Sequence, residues 1–342
     1  MEESKERNPK IPPTSLALKI SSLALTAFDH FSFLCFGIFC RLLALLGLEK
    51  RRHVAIRANP RAIDTAVLVT GSGSGIGQFL AIDWFSKGYT IFAVVRKVED
   101  GQYLEEMVSN ISHESGKPTG RLIPILIDLA DPLSLDSGIQ EVEENINTLG
   151  LHLVAVINNA ADFMLSVTES LTNTEMERMM QINLLSPINL TKRLYPLLKE
   201  SKGRVINIGS PNAWLPTPGL SVYSITKAAL RAWSIVFMIE ARLWEISVSL
   251  IEPDSLSNAT TLDEKSRECY RPMIQFYQEL VPKGFDFRIH PSHVGRAVSH
   301  ALISPYPKRV YYVGWDARIL ASVSWLLGDE NTCRIVEKII LK

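Results

Sequence analysis

A chain of 342 residues leaves room for one α/β unit of about 250 residues and a tail, and is long enough to bury a full hydrophobic core. With 36 lysines and arginines against 36 aspartates and glutamates, it has no overall charge to draw it to nucleic acid, which is excluded as an expected partner. The four cysteines, Cys35, Cys40, Cys269 and Cys333, are too few and scattered for a disulfide framework, and without a C-x-x-C pair they suggest neither zinc nor redox work.

The first element along the chain is apolar. Residues 31–48 read FSFLCFGIFCRLLALLGL, eighteen residues with one charge at Arg41. As a helix this run reaches about 27 Å against a hydrocarbon core of about 30 Å, so it only just spans a bilayer, or lies along the interface with Arg41 snorkelling. A buried packing helix is the blander reading. A cleaved signal is disfavoured, because the start MEESKER is mixed in charge and no small-residue cleavage site follows closely. Lys50, Arg51, Arg52, Arg57 and Arg61 come next. By the positive-inside rule they put the rest of the chain in the cytosol, with the endoplasmic reticulum as the expected membrane. Sequons at Asn110, Asn189 and Asn258 are then chance matches, since glycosylation needs the lumen.

From residue 62 short Val- and Ile-rich runs alternate with longer amphipathic stretches, the pattern of a doubly wound parallel sheet, a Rossmann-type α/β fold. Strands are expected at 66–70, 90–95, 122–127, 153–157, 204–208, 247–251 and 310–313. Helices are expected to begin near Ile76, Gly101, Pro132, Thr174, Ser221 and Ser292, several opened by a capping residue or proline. The expected organisation is an N-terminal membrane-associated segment and basic linker (1–61), a single domain (62–314) and a C-terminal helical tail (315–342). The gap 254–288 breaks the rhythm and reads as a substrate lid.

The first strand ends in Thr70-Gly71-Ser72-Gly73-Ser74-Gly75-Ile76-Gly77. Glycines between a strand and a helix let the backbone turn sharply and approach a pyrophosphate, which rests on the positive end of the helix dipole. Arg96 and Lys97 follow the second strand, where many dinucleotide-binding folds place an acid for the ribose hydroxyls. A basic side chain there pairs with a 2′-phosphate, which favours NADP, with NAD the alternative. Asp128 after the third strand is placed to accept from the adenine amino group, or else caps the next helix, a job Asp131 could also do.

The sharpest signal is Tyr223-Ser224-Ile225-Thr226-Lys227, because i, i+4 spacing puts phenol and ammonium on one helix face. A tyrosine pKa near 10 must fall by about three units to act near neutral pH, which needs roughly 4 kcal/mol of phenolate stabilisation. Lys227 and an oxidised nicotinamide are the expected sources. Just upstream, Arg204-Val205-Ile206-Asn207-Ile208-Gly209-Ser210 reads as a buried strand delivering a serine to the ligand-binding edge.

Over residues 66–313 these motifs resemble the classical short-chain dehydrogenase/reductase superfamily. The glycine turn is similar to T-G-x-x-x-G-x-G, Asn158-Asn159-Ala160-Ala161 to N-N-A-G, and Asn183, Ser210, Tyr223 and Lys227 to the catalytic tetrad. The resemblance implies an NAD(P)-dependent oxidoreductase acting on CH–OH groups. Tyr223 would be the acid or base, Ser210 would hold the substrate oxygen, Lys227 would also bind the nicotinamide ribose, and Asn183 would position a water linking Lys227 to solvent. Cofactor contacts implied are the 71–77 turn, Arg96, Asp128, Leu129, Asn159, Tyr223, Lys227 and Leu256; homo-oligomers are common in the family. Two departures stand out, Ala161 for glycine and Pro253-Asp254 for Pro-Gly.

His300 to Ala317, with Pro305-Tyr306-Pro307-Lys308 and Val313-Gly314-Trp315, resembles the branch of retinol, hydroxysteroid and hydroxybutyrate dehydrogenases. Beyond it Leu320, Val323, Leu326 and Leu327 fall on or near one helix face. With the N-terminal apolar run they suggest a lipophilic substrate, a steroid, retinoid or lipid-derived alcohol or carbonyl, delivered from the membrane. The competing expectation is a membrane-tethered cofactor-binding scaffold or sensor whose two loop departures abolished turnover.

Overall fold

The computed structural model describes residues 16–47, 49–54, 56, 62–115, 120–253 and 290–340. The lid expected at 254–288, with Leu256, lies outside them. Contacts divide the chain into two units, Met1–Lys50 and Arg51–Lys342.

The first unit is built on helix α1 (Leu16–Leu45), which starts well before the expected apolar run. Polar residues ahead of the run are compatible with the helix because they bond back to it. Thr26 Oγ1 donates to the Ser22 carbonyl at 2.7 Å, and His30 Nδ1 bonds the Thr26 carbonyl at 2.8 Å. The stretch Ile20–Leu45, 26 residues long, contains an 18-residue window of mean hydropathy 1.7. As a helix it reaches about 39 Å, so it is long enough to cross a hydrocarbon core of about 30 Å with some tilt.

The second unit carries a seven-stranded parallel sheet in the order β3-β2-β1-β4-β5-β6-β7. Its strands are β1 (Thr65–Thr70), β2 (Thr90–Val95), β3 (Arg121–Leu126), β4 (His152–Asn158), β5 (Arg204–Ile208), β6 (Ser247–Pro253) and β7 (Val310–Val313). Every residue of β1, β2, β5 and β6 is buried. Burial on both faces is why these strands read as continuous apolar runs instead of alternating ones. The chain winds from β1 outward to β2 and β3, then returns to β4 on the other side of β1. That reversal opens a crevice at the carboxyl ends of β1 and β4, where open α/β sheets bind ligands.

Helices α2 (Gly75–Ser86), α3 (Val98–Ser115), α4 (Pro132–Leu149), α5 (Asn173–Met180), α6 (Ser186–Ser201), α7 (Ser221–Glu240), α8 (Pro291–Ile303) and α9 (Trp315–Ile340) flank the strands. Local signals start and stop them. Asp131 caps α4 by accepting from Leu133 N at 3.0 Å, Pro132 opens it, and Gly150 ends it in the left-handed conformation. Thr172 and Glu175 form a reciprocal capping box on α5. The helix expected from Thr174 is not continuous, because a π-helical turn, Gln181–Leu185, joins α5 to α6. One of the residues in that turn is Asn183, and π turns of this kind often mark functional positions.

The stretch Ser221–Trp244 is also long and apolar enough to cross a membrane. It is a core helix nonetheless, because Val222, Lys227, Leu230, Ser234 and Phe237 of α7 are buried. α9 is two helical segments broken at Gly328, whose φ of 71° departs from the helix.

Candidate active site

The crevice is a cleft of about 600 Å³ running from the glycine turn to Tyr223 and Lys227. Gly71 (φ 70°) and Gly75 (φ 59°) adopt left-handed backbone that side chains rarely tolerate. A Cβ on Gly71 would lie 2.9 Å from Ala160 Cα, and one on Gly77 would run into the Gly71 carbonyl. The turn is tied to β4 from both sides: Thr70 Oγ1 accepts from the backbone N–H of Asn159 and Ala160, each at 3.0 Å, and Asn159 Nδ2 donates to the Thr70 carbonyl at 2.9 Å. Asn159 therefore lines the cleft while its amide holds the turn. Ser72 faces inward, its N–H on the Val94 carbonyl and its hydroxyl on the Val69 carbonyl, both at 2.9 Å. Gly73, Ser74 and Ile76 line the cleft, whereas Gly75 and Gly77 shape the turn behind it.

Ser74, the residue before α2, is extended and makes no side-chain cap. The N–H groups of the first helical turn are thus left for a ligand, and the dipole there favours an anion. This open helix start, with glycines where a side chain would fill the cradle, fits the pyrophosphate of a dinucleotide.

At the adenosine end the cleft is lined by Arg96, Asp128 and Leu129. Lys97 is exposed outside it, so of the two expected cations Arg96 is the one in place. Asp128 Oδ1 accepts from Ala130 N at 2.9 Å, and the helix cap is made by Asp131. The sequence reading missed Asp100. It lies in the first turn of α3, lines the cleft, and packs so near Gly73 that a Cβ there would be 3.0 Å from its Oδ2. Its spacing of four from Arg96 was the available signal.

At the other end α7 presents Tyr223 and Lys227 one turn apart. The Ser210 hydroxyl and the Tyr223 phenol line the same end of the cleft. The serine hydroxyl donates to Asn212 Oδ1 and accepts from Asn212 N, both at 3.2 Å, which fixes its direction at the tip of β5. Lys227 is 2 % exposed. Its Nζ donates to the Ile208 carbonyl at 2.9 Å and lies 5.7 Å from the centre of the Tyr223 ring. Phe163 meets that ring edge-on, with centroids 5.1 Å apart. Burial raises the Tyr223 pKa above 10, opposed by the Ser210 hydroxyl. The lowering expected from Lys227 together with an oxidised nicotinamide concerns the protein with that ring bound.

The Asn183 side chain is fully engaged within the fold. Its Nδ2 donates to the Asp162 carbonyl at 2.8 Å and Thr226 Oγ1 at 3.1 Å, while its Oδ1 accepts from Asp162 N at 2.6 Å. The side chain is committed to bracing the Asp162–Phe163 segment against α7. Asp162 also accepts from Arg178 Nε at 3.1 Å. Neither Asp162 nor Phe163 was singled out in the sequence, because their importance comes from contacts with α5 and α7 that no local pattern encodes.

Residues 65–270 match the family model described as short chain dehydrogenase. The chain belongs to that family. Among its relatives, retinol dehydrogenase 5 of Mus musculus is 26% identical over 82% of this chain and 88% of its own length. Estradiol 17-beta-dehydrogenase 2 of Mus musculus is 31% identical over 73% of this chain and 68% of its own length. A crystal structure of a short-chain dehydrogenase from Streptomyces avermitilis superposes with a TM-score of 0.64 at 22% identity, covering 80% of this chain and 94% of that one. As a short chain dehydrogenase the protein is an NAD(P)-dependent oxidoreductase.

One of the dehydrogenase's two departures is harmless to the backbone. Ala161 lines the cleft and is not among the residues with positive φ, so the position does not require glycine. Pro253 closes β6 and lines the cleft, while Asp254 lies outside the described residues.

Burial lowers the Lys227 pKa from 10.5 to about 8. Below pH 8 both folded and unfolded dehydrogenase carry this proton; between about 8 and 10.5 only the unfolded chain does. Its contribution to stability therefore rises with pH across that window, by up to about 3 kcal/mol. The melting temperature of wild type relative to Lys227→Met should climb as pH is raised from 8 to 10 in cofactor-free protein, by thermal denaturation. A constant difference would contradict the shift.

Proposed function

We propose that this dehydrogenase transfers hydride between NADP(H), with NAD(H) as second choice, and a lipophilic alcohol or carbonyl, a steroid, retinoid or lipid-derived compound. The observation that carries the reading is the convergence of Ser210, Tyr223 and buried Lys227 at the far end of a cleft that begins on an open helix start. The bound nicotinamide gives or takes the hydride. In reduction the neutral Tyr223 phenol donates its proton to the substrate oxygen as negative charge develops there, and Ser210 donates a hydrogen bond to the same oxygen. In oxidation the phenolate removes the alcohol proton, and Lys227 with the oxidised ring supplies the positive charge it needs. Lys227 holds the ribose, and Asn183 keeps the Asp162–Phe163 wall against the phenol.

Several features support the substrate class and the setting. Phe163 and Ile182 line the cleft, α1 is a long apolar helix, and α9 exposes Ile319, Val323, Trp325 and Leu326. The relatives named above are a retinol and an estradiol dehydrogenase. We place the protein on the endoplasmic reticulum with its second unit in the cytosol, from the basic residues that follow α1. The scaffold reading loses one of its two grounds with the ordinary backbone of Ala161. A panel of lipophilic alcohols and ketones, assayed in detergent with both cofactors, tests the proposal. Failure of every substrate, together with no tryptophan quenching by either cofactor, would overturn it.

Arg96 and Asp100 give a sharper test of cofactor choice. The cation favours a 2′-phosphate and the nearby carboxylate opposes it. Arg96→Ala should weaken NADP binding by about tenfold with little change for NAD, and Asp100→Asn should tighten NADP relative to NAD. Dissociation constants from fluorescence titration read both effects. Equal changes for the two cofactors would count against a 2′-phosphate at Arg96.

A further inference from the structure

Glu252 is a fully buried carboxylate on β6 that the proposed chemistry does not use. It gathers three elements around itself. Arg231, on α7 two turns beyond Tyr223, donates from Nη1 to Glu252 Oε2 at 2.6 Å. Trp214, in the loop that begins at Ser210, donates from Nε1 to the same oxygen at 3.1 Å. The backbone meets it as well, since a Cβ on Gly209 would lie 3.0 Å from Glu252 Cγ, and Gly209 N donates to the Ile251 carbonyl at 2.7 Å. Arg231 also reaches Tyr312 of β7 at 3.4 Å, and Tyr312 packs edge-on against Trp214 with centroids 6.1 Å apart.

A charge in the interior is costly unless paired and hydrogen-bonded. Burial pushes the Glu252 pKa up, while Arg231 and Trp214 hold it down. Its second oxygen, Oε1, is buried without a partner, so this arrangement is more demanding than a well-packed apolar residue would be. The carboxylate holds one feature an apolar residue could not: a single oxygen bonded at once to the helix of the phenol and to the loop of the serine.

We infer that Glu252, through Arg231 and Trp214, is a positioning residue that sets the distance between the Ser210 hydroxyl and the Tyr223 phenol. The inference rests on the proposed roles of those two side chains. Ser210 and Tyr223 belong to different elements, and an acid–base pair misplaced by a fraction of an ångström loses rate while still binding its ligands. Glu252, Arg231, Trp214 and Tyr312 are outside the cleft lining, to which the adjoining Gly209 and Pro253 belong, so loss of one of the four side chains acts on geometry and leaves the cofactor's side-chain contacts in place.

The test compares wild type with Trp214→Phe, Glu252→Gln, Arg231→Met and Arg231→Lys, measuring kcat and KM with a turned-over lipophilic substrate and the dissociation constant of NADPH. Trp214→Phe removes one N–H donor and keeps an aromatic ring against Tyr312, so it remains informative if Glu252→Gln does not fold. Expected is a fall in kcat of about tenfold for Trp214→Phe and Arg231→Met, with NADPH binding within about twofold of wild type. Arg231→Lys, which keeps the charge, should recover most of the loss seen with Met. An active wild type with kcat unchanged in folded Trp214→Phe overturns the inference, as does equal loss in Arg231→Met and Arg231→Lys. A wild type that binds NADPH and turns nothing over overturns the parent reading, and this role with it.

Discussion

Tyr223→Phe is expected to lower kcat by about three orders of magnitude while leaving NADPH affinity within about threefold, because a positioned acid or base contributes 10²–10⁴ in rate. The phenylalanine keeps the ring that Phe163 packs against, 5.1 Å away between centroids, so the cleft wall stays in place and only the hydroxyl is lost. Lys227 stays held on the Ile208 carbonyl, 5.7 Å from the centre of the ring. Steady-state kinetics with fluorescence titration of the cofactor separates the two effects. A parallel loss of NADPH binding would point to a collapsed site and would not speak for acid–base chemistry.

Gly77→Ala should damage the other end of the cleft as heavily, weakening NADPH by about a hundredfold. The added methyl would collide with the Gly71 carbonyl and lie 2.6 Å from Asn159 Nδ2. Both are parts of the turn, so relief requires moving the backbone that cradles the pyrophosphate. Overpacking of this kind costs about 1–3 kcal/mol, and 1.4 kcal/mol is a factor of ten in binding. The turn is tied through Asn159 and Thr70 to β4, so the displacement should also lower the melting temperature. Calorimetric titration with NADPH and a thermal melt measure the two consequences. Unchanged affinity would mean that the dinucleotide does not rest on this turn.

The parts of the fold that were legible in the sequence are those whose physics is local. Strands β2 and β5 were bounded correctly because a strand buried on both faces is a run of apolar residues between breakers, and Thr90 to Val95 or Arg204 to Ile208 reads that way unaided. The glycine turn was legible because φ near 70° at Gly71 leaves the residue type little choice. Tyr223 and Lys227 were legible because a helix converts spacing of four into a shared face. What stayed hidden depends on packing between distant segments. The amide of Asn159 serves the turn, and that of Asn183 serves Asp162; neither orientation can be read from residue type. Asp100 enters the adenosine corner from α3 and not from the end of β2, where acidic residues were sought. Glu252 carries no local signal, since its partners Trp214 and Arg231 come from a loop and a helix distant in sequence. The N-terminal helix extends beyond the apolar run because Thr26 and His30 satisfy themselves on the carbonyls one turn back.

Reduction of a lipophilic ketone with NADPH carrying deuterium at the transferable position of its nicotinamide tests the central claim most directly. Mass spectrometry of the alcohol formed by wild-type protein should find one deuterium on the carbinol carbon, with almost none formed by Tyr223→Phe over the same time. Alcohol without deuterium on that carbon, or equal labelling by the two proteins, would contradict hydride transfer governed by the Tyr223 phenol.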